Sequence, residues 1–185
     1  MARSVAVCDY GAGNVRSVLS AFRRLGAFAS ATTDPDVALA ADLAVLPGVG
    51  SAATAMAGLR ARGLDEALCE RVAAGRATLG ICLGLQLALD ESEEDGGVAG
   101  LGLVPGRASR LREGRVPRMG WAEVEPSGET YWFAHSYAVA SPAATAMSEG
   151  IVAAAEAGSF LGVQFHPEKS GAAGGRFLER CLSRA

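Results

Sequence analysis

The sequence predicts an α/β fold, in which buried strands alternate with helices. Short apolar runs at residues 4–8, 43–46 and 77–81 have the length and character of buried strands. Each run ends in a glycine-containing turn, and helical segments follow these turns. This alternation of strand, turn and helix is typical of α/β proteins.

Length and composition fit one ordinary globular domain, and we expect residues 1–185 to form it. Half of the residues are hydrophobic, a fifth are charged and the net charge is −3, so no basic field indicates nucleic acid. We expect no signal peptide, and no apolar run reaches the about 18 residues of a membrane span. The scattered cysteines have neither zinc-site spacing nor a disulfide pattern, which predicts a reducing, cytoplasmic setting without a metal. They are Cys8, Cys69, Cys82 and Cys181.

The first strand, residues 4–8, leads through a turn into a helix predicted over residues 15–25. Gly26 stands where a glycine commonly follows a helix. The Gly-x-Gly of the turn resembles the start of a dinucleotide-binding fingerprint, but the third glycine and the later acidic residue are missing, which argues against that site. Asn14 fits either an N-cap of the helix or a contact residue.

The loop at residues 47–51 follows the strand at residues 43–46 and has the composition of an anion-facing turn. Gly48 and Gly50 expose backbone N–H groups just before a helix expected to start at Ser51. An ordinary turn is the alternative. In an α/β sheet, ligands gather beyond the carboxyl ends of strands, so this loop can share a site with the loop after the next strand.

The other elements are predicted with looser boundaries. The acidic residues 90–95 are expected to form a solvated helix end and loop. The remaining strands are expected at residues 28–32, 102–105, 121–124, 131–137 and 158–165, and the remaining helices at residues 34–36 (one turn), 64–74 and 175–182.

Cys82 lies at the apex of a predicted strand–turn–helix, with the helix expected over residues 85–90. Gly80 and Gly84 flank it as glycines flank the serine of a nucleophile elbow, where backbone segments approach too closely for a Cβ atom. The helix N-terminus favours the thiolate, and the N–H of Leu83 is placed to stabilise an oxyanion. The pattern predicts a nucleophilic cysteine, with a buried structural cysteine as the alternative.

A cysteine nucleophile requires a base, and the chain has two histidines, His135 and His166. Glu168 follows His166 by two residues and, in an extended chain, lies on the same side, where a carboxylate can orient the imidazole. Pro167 stiffens this run. His135 has no carboxylate at comparable spacing. We therefore predict a triad of Cys82, His166 and Glu168, with a structural role for the histidine as the alternative.

The motifs that carry these residues resemble class I (triad) glutamine amidotransferases. They are the Gly-x-Cys-x-Gly elbow with Gln86, the loop at residues 47–50, and the run from His166 to Glu168. Further stretches resemble the glutaminase subunits of imidazole glycerol phosphate synthases. These are residues 9–18, 119–121, 133–137 and 165–170, so the resemblance spans essentially the whole chain.

The resemblance implies a flavodoxin-like α/β fold with a mostly parallel central sheet, flanking helices and a smaller mixed or antiparallel sheet. It implies hydrolysis of L-glutamine to glutamate and ammonia without a cofactor. Cys82 would form the thioester, His166 would relay protons and Glu168 would orient His166. The N–H of Leu83 would form the oxyanion hole with that of Val49 or Gly50. The residues implied in glutamine binding are Gly50, Gln86, Ser136 and Tyr137.

The resemblance also implies a partner, a (βα)₈-barrel cyclase with which the chain would form a heterodimer. Ammonia would pass through the barrel and react with a ribonucleotide to give imidazole glycerol phosphate for histidine synthesis. Asn14, Trp121 and Lys169 would lie on the docking face. Lys169 is the single lysine of the chain, which draws attention to it, although a surface lysine after a turn is the alternative.

Three residues depart from the pattern of these subunits: Ala122, Trp132 and Leu85. The segments at residues 107–118 and 141–156 are also shorter than usual. None of these departures touches the triad, so they bear on the docking face and its activation.

Other functions remain compatible with parts of the sequence. One is a glutaminase that serves a different synthase, such as the pyridoxal phosphate system, although the turn at residues 9–14 and Lys169 argue against it. A second is a non-catalytic binding protein on the same fold, which the intact triad argues against. A third is a free-standing cysteine hydrolase, which would be fully active without a partner.

Overall fold

The computed structural model describes residues 2–185, which form thirteen strands and six α-helices. The strands are β1 (Ser4–Cys8), β2 (Phe28–Thr32), β3 (Leu43–Leu46), β4 (Thr78–Ile81), β5 (Glu91–Ser92), β6 (Val98–Ala99), β7 (Arg107–Arg110), β8 (Arg118–Val124), β9 (Glu129–His135), β10 (Tyr137–Ala140), β11 (Ala144–Ser148), β12 (Ile151–Ala157) and β13 (Phe160–Val163). The helices are α1 (Val15–Arg24), α2 (Pro35–Ala40), α3 (Ala52–Arg60), α4 (Leu64–Ala73), α5 (Leu83–Ala88) and α6 (Gly171–Ser183), with short 3₁₀ turns at Glu94–Gly96 and Pro167–Lys169.

The central sheet has seven strands in the order β11-β12-β13-β4-β3-β1-β2. The five strands from β13 to β2 are parallel, and β12 and β11 extend the sheet in antiparallel orientation. The carboxyl ends of the parallel strands meet at one edge, which is where open α/β sheets bind ligands. Asn14, Pro47, Cys82 and Gln164 follow four of these ends, so the topology gathers the predicted site.

Two smaller sheets complete the fold. A four-stranded mixed sheet has the order β10-β7-β5-β6, and β8 pairs with β9 as an antiparallel hairpin. The hairpin reaches the edge at which the parallel strands end, because the N–H of His166 donates to the carbonyl of Trp132 at 2.8 Å. The prediction of a mostly parallel sheet with a smaller additional sheet is confirmed.

Local sequence explains where the helices begin and end. The Asp34 side chain accepts a hydrogen bond from the N–H of Asp36 and Pro35 opens α2, while Ser51 caps α3. Helix α1 buries one face against the sheet and ends before Gly26, whose φ of 80° suits glycine. Within the described residues, no helix has the length and apolar character needed to cross a membrane.

An aromatic cluster packs beside the segment that carries His166. Tyr131 and Phe165 stack with their centroids 4.0 Å apart, and Phe177 meets both rings edge-on. All three belong to different elements: β9, the segment after β13, and α6. This packing fixes the residue next to His166 against the hairpin and the last helix.

Arg71 of α4 is fully buried and holds the opposite end of the sheet together. Its guanidinium donates to the carbonyls of Ala38, Leu39, Asp42 and Ala77 at 2.7–3.2 Å. Burial, and secondarily the charge of Arg76, lowers the pKa of Arg71 to about 10. The N–H groups of the guanidinium therefore satisfy buried backbone carbonyls at the end of α2 and in the segments that lead into β3 and β4.

Some predicted boundaries were wrong. Residues 102–105 form no strand, because the N–H groups of Gly102, Leu103 and Val104 bind the last carbonyls around α5 instead. The helix after Cys82 covers Leu83–Ala88 rather than residues 85–90, and α6 begins at Gly171 rather than residue 175. The last parallel strand is confined to Phe160–Val163, and the strand predicted at residues 131–137 is interrupted at Ser136.

The acidic residues 90–95 are not merely a solvated loop. The Glu94 carboxylate accepts from the N–H of Ala52 at 2.9 Å, and Asp95 accepts from the N–H of Ala53 at 3.0 Å. Both donors are N–H groups at the N-terminus of α3, where unpaired N–H groups and the helix dipole favour negative charge. The run therefore caps the helix that follows the loop at residues 47–51.

Candidate active site

Cys82 sits on a sharp turn between β4 and α5. Its φ of 52° and ψ of −107° are unusual for a residue with a Cβ atom, and its N–H is held by the carbonyl of Val163 at 2.7 Å. A Cβ on Gly84 would collide with the Leu46 carbonyl oxygen, and one on Gly80 with the Phe160 ring. The glycines thus permit the close backbone approach that the sequence predicted, and the turn presents the sulfur at the sheet edge.

His166 and Glu168 form a buried pair beside Cys82. The Nδ1 of His166 lies 2.9 Å from the Glu168 carboxylate, and the two side chains are 2% and 1% exposed. Burial disfavours the charged ring, but hydrogen bonds to Cys82 and Glu168, together with their charges, raise the pKa of His166 to about 9. An imidazole held this way can take a proton from the thiol and return one to a leaving group.

The backbone conformation that brings Glu168 to His166 differs from the predicted one. The chain is extended at His166 but enters a 3₁₀ turn at Pro167–Lys169, so the carboxylate returns toward the ring through a turn. Ser170 stabilises this turn, since its hydroxyl donates to the His166 carbonyl at 2.6 Å and accepts from the N–H of Trp132 at 3.0 Å. The residue spacing was informative, although the extended conformation assumed for it was wrong.

The loop at residues 47–50 packs directly onto the start of α5. A Cβ on Gly48 would collide with the backbone of Gly84 and with Leu83, and Gly50 has a φ of 105°. The Tyr10 hydroxyl donates to the Pro47 carbonyl and anchors the loop from below. Because α5 begins at Leu83, the N–H of Leu83 has no intrahelical acceptor. The loop and the helix start therefore flank the sulfur.

A cleft of about 240 Å³ opens above Cys82. Its walls contain all of the residues predicted for glutamine binding and the oxyanion hole, while His166 contacts the sulfur from outside this set. The lining residues are Gly48, Val49, Gly50, Cys82, Leu83, Gln86, Glu94, Pro117, Met119, Ala134, His135, Ser136 and Tyr137.

The residues predicted for docking lie outside the lining of this cleft, and Lys169 instead borders a separate pocket between α1 and α6. Trp121 is 57% exposed on β8, next to the exposed Met119, and it meets Trp132 edge-on. Lys169 is exposed directly after the triad carboxylate. Asn14 is half-buried at the N-cap position of α1 but its side chain makes no capping hydrogen bond, which counts against the N-cap alternative.

Four further polar residues near the cleft were not assigned a role from the sequence. Gln164 is fully buried against Cys82, and the Nδ1 of His135 donates to the Tyr137 carbonyl. Arg118 of β8 lies over the Phe133 ring at 4.1 Å and reaches toward His135. For Gln164 a signal was present: it is a polar residue inside the apolar run from Gly162 to Phe165. Together with Glu94, these residues form the polar surroundings of the site.

Comparison with known proteins identifies the family. The family model for class I glutamine amidotransferases matches residues 6–184. A subunit HisH of imidazole glycerol phosphate synthase from Methanothermobacter thermautotrophicus is 46% identical, with 92% of this chain and 93% of that protein covered. The HisH subunit from Symbiobacterium thermophilum is 45% identical over 96% and 92% of the two chains.

Solved structures agree at the level of the fold. A crystal structure of a glutamine amidotransferase superposes with a TM-score of 0.81 at 22% identity, covering 97% of each chain. PurLQS from Thermotoga maritima gives a TM-score of 0.75 at 17% identity, covering 99% of this chain and 98% of that one. The chain therefore belongs to the class I glutamine amidotransferase family, alongside the HisH subunits that it matches over nearly its whole length.

Proposed function

We propose that this chain is the glutaminase subunit of an imidazole glycerol phosphate synthase, with residues 1–185 acting as one catalytic domain. The observation that carries the proposal is the strained Cys82 turn placed against the buried His166–Glu168 pair. The HisH relatives at 45–46% identity support the choice of this synthase over other amidotransferase systems. The expected place of action is the cytoplasm.

The reaction follows from the groups around the sulfur. His166 takes the proton of Cys82, and the thiolate attacks the γ-carbonyl carbon of glutamine. The oxyanion accepts hydrogen bonds from the N–H of Leu83 and from that of Val49 or Gly50. His166 then returns the proton to the departing nitrogen, so that ammonia leaves and a thioester remains. Water activated by His166 cleaves the thioester to glutamate and restores the thiol.

Glutamine is held, in this proposal, by the residues that line the cleft on either side of Cys82. Gln86 has its amide anchored at 3.0 Å to the Tyr137 carbonyl, which fixes the far wall of the cleft. Gly50, Ser136 and Tyr137 line the same space. A cleft of about 240 Å³ has the size for a single amino acid.

The partner is a (βα)₈-barrel cyclase that receives the ammonia and converts the phosphoribulosyl-formimino ribonucleotide to imidazole glycerol phosphate. The rim of the cleft carries exposed apolar side chains, Met119 and Trp121, which are costly to leave in water. Aromatic anchors of this kind dominate protein interfaces. A partner seated here covers the cleft and collects the product before it escapes, and in this proposal Asn14 and Lys169 extend the docking face.

The test is glutamate release from L-glutamine by the purified chain alone, with the cyclase, and with the cyclase plus its nucleotide ligand. We expect little release by the chain alone and a large increase in the liganded complex. Full activity without any partner would favour a free-standing hydrolase. No glutaminase activity under all three conditions would contradict the proposal itself.

Two variants separate chemistry from docking. Cys82→Ser is expected to abolish glutamine hydrolysis while ammonia-dependent turnover by the complex persists. Lys169→Ala is expected to weaken docking or coupling, and Lys169→Arg serves as the variant that keeps the charge. Unchanged affinity and coupling in Lys169→Ala would remove this residue from the interface.

A further inference from the structure

Gln164 is a fully buried polar side chain that contacts the nucleophile. Its Nε2 lies 3.5 Å from the Cys82 Sγ, within hydrogen-bond distance for sulfur. The residue directly follows β13, and its backbone N–H is fixed by the Ala153 carbonyl at 2.8 Å. A buried amide is costly unless it is paired, so the contacts of this side chain define its role.

The backbone carbonyl of Tyr137 determines the orientation of the Gln164 amide, and it does so through Gln86. The Tyr137 carbonyl can only accept, so Gln86 must present its Nε2 to it, at 3.0 Å. The same Nε2 also donates to the Gln164 Oε1 at 3.0 Å. With its oxygen engaged there, Gln164 is left with its NH₂ group facing Cys82. The side-chain amides of Gln86 and Gln164 therefore each have one orientation that satisfies the hydrogen bonds of their neighbours.

The other side of the Tyr137 carbonyl is held by His135. The Nδ1 of this ring lies 2.8 Å from the same oxygen and must carry the hydrogen. Burial, opposed by the hydrogen bond to the Tyr137 carbonyl and assisted by the charge of Arg118, lowers the pKa of His135 to about 4, so the ring is neutral at neutral pH. Arg118 lies 3.4 Å from the remaining ring nitrogen and can donate to it. His135 and Gln86 thus both donate to the Tyr137 carbonyl. This carbonyl determines which way the side-chain amides of Gln86 and Gln164 are oriented.

We propose that Gln164 is a positioning residue that donates a hydrogen bond to the Cys82 sulfur and holds it for attack. The inference rests on the proposed glutaminase function, because it assigns Cys82 as the nucleophile. The Ala134 carbonyl, 3.8 Å from Sγ, can only accept from the thiol and repels the thiolate. The Gln164 amide donates in both protonation states of the sulfur, so it stabilises the thiolate that His166 generates.

Two substitutions at this position separate donation from packing. Gln164→Met keeps the volume and removes both hydrogen bonds. Gln164→Glu keeps the acceptor for Gln86 but replaces the donor with a carboxylate against the sulfur. If donation matters, both variants lose about tenfold or more in kcat, the loss expected of one hydrogen bond to a charged group. The KM for glutamine stays within about twofold of wild type in Gln164→Glu, because Gln86 remains anchored.

Alkylation of Cys82 by iodoacetamide at neutral pH, followed on its peptide by mass spectrometry, provides a second measurement. Both variants are expected to react about tenfold more slowly than wild type. This readout needs no glutamine turnover, so an inactive wild-type enzyme would count against the proposed function without deciding the role of Gln164. If Gln164→Glu does not fold, by circular dichroism, Gln164→Met decides. A folded variant whose kcat and alkylation rate stay within twofold of wild type would overturn the inference.

Discussion

Replacing Glu168 by glutamine removes the carboxylate that holds His166 while preserving the volume of the side chain. The Nδ1 of His166 lies 2.9 Å from this carboxylate, and neither side chain reaches solvent to any useful extent. Glu168 does not line the cleft, so the substitution acts on the imidazole without touching the space proposed for glutamine.

The size of the effect follows from the pKa of His166. A rise from 6.5 to about 9 corresponds to about 3 kcal/mol of preference for the charged ring. Burial opposes this preference, and Cys82 and Glu168 supply it. Loss of one buried hydrogen bond to a charged group removes about 1.5 kcal/mol or more, so we expect kcat to fall by at least about tenfold. The KM for glutamine should change by less than about threefold.

The dependence on pH gives a sharper test. Because the folded-state pKa of His166 is raised, the pair stabilises the protein fully below pH 6.5, and this stability is lost as the pH rises through about 9. The difference in Tm between wild type and Glu168→Gln should therefore be largest near pH 6 and shrink toward pH 10. The alkaline limb of the kcat profile should move to lower pH in the variant, since His166 then loses its proton earlier.

A carboxylate far from the site provides the control. Glu156 pairs with Arg184 at the protein surface, so Glu156→Gln should leave the kcat profile unchanged. The measurements are glutamate release by the liganded complex and thermal unfolding from pH 6 to 10. A Tm difference that is constant over this range, together with an unmoved alkaline limb, would show that Glu168 does not act through the charge on His166.

Three further predictions concern docking and folding. Trp121→Ala should weaken binding to the cyclase at least about tenfold by calorimetry, whereas Phe28→Ala, at a still more exposed aromatic on the edge strand β2, should not. Equal losses would contradict a docking role for β8. Gly84→Ala should lower the free energy of unfolding, measured in urea, by about 3 kcal/mol, because the new Cβ would collide with a carbonyl of β3. As the control, Gly175→Ala on an open face of α6 should raise the free energy of unfolding by up to about 1 kcal/mol. Arg71→Met should lower the free energy of unfolding by about 3 kcal/mol or more, because it leaves buried carbonyls unpaired, while the folded protein keeps its kcat. A decrease below about 1 kcal/mol would show that these carbonyls find other partners.

The sequence predicted the elements around the catalytic edge because their signals are local. Asp34 and Pro35 mark the start of α2 through a side-chain cap and a fixed φ, and neither depends on distant residues. The strand predicted at residues 102–105 was wrong because the conformation of this segment depends on non-local contacts. These residues are an apolar run of strand length, but their N–H groups bind the end of α5, a partner that no periodicity reveals. The parallel arrangement of the central sheet is equally non-local, and it was predicted only from resemblance to a family.

The same distinction explains which parts of the site could be predicted. Cys82 is marked by the flanking Gly80 and Gly84 and His166 by a carboxylate two residues away, so a role could be proposed for each from a short motif. The contact between Gln164 and Cys82 spans 82 residues. The sequence shows only that a glutamine interrupts an apolar run, which indicates a buried amide in need of partners. Which atom it faces depends on the Tyr137 carbonyl and Gln86, and therefore on three separate elements meeting at one edge. Such a residue can be flagged from the sequence as buried and polar, but its function becomes visible only when every donor and acceptor around it is assigned.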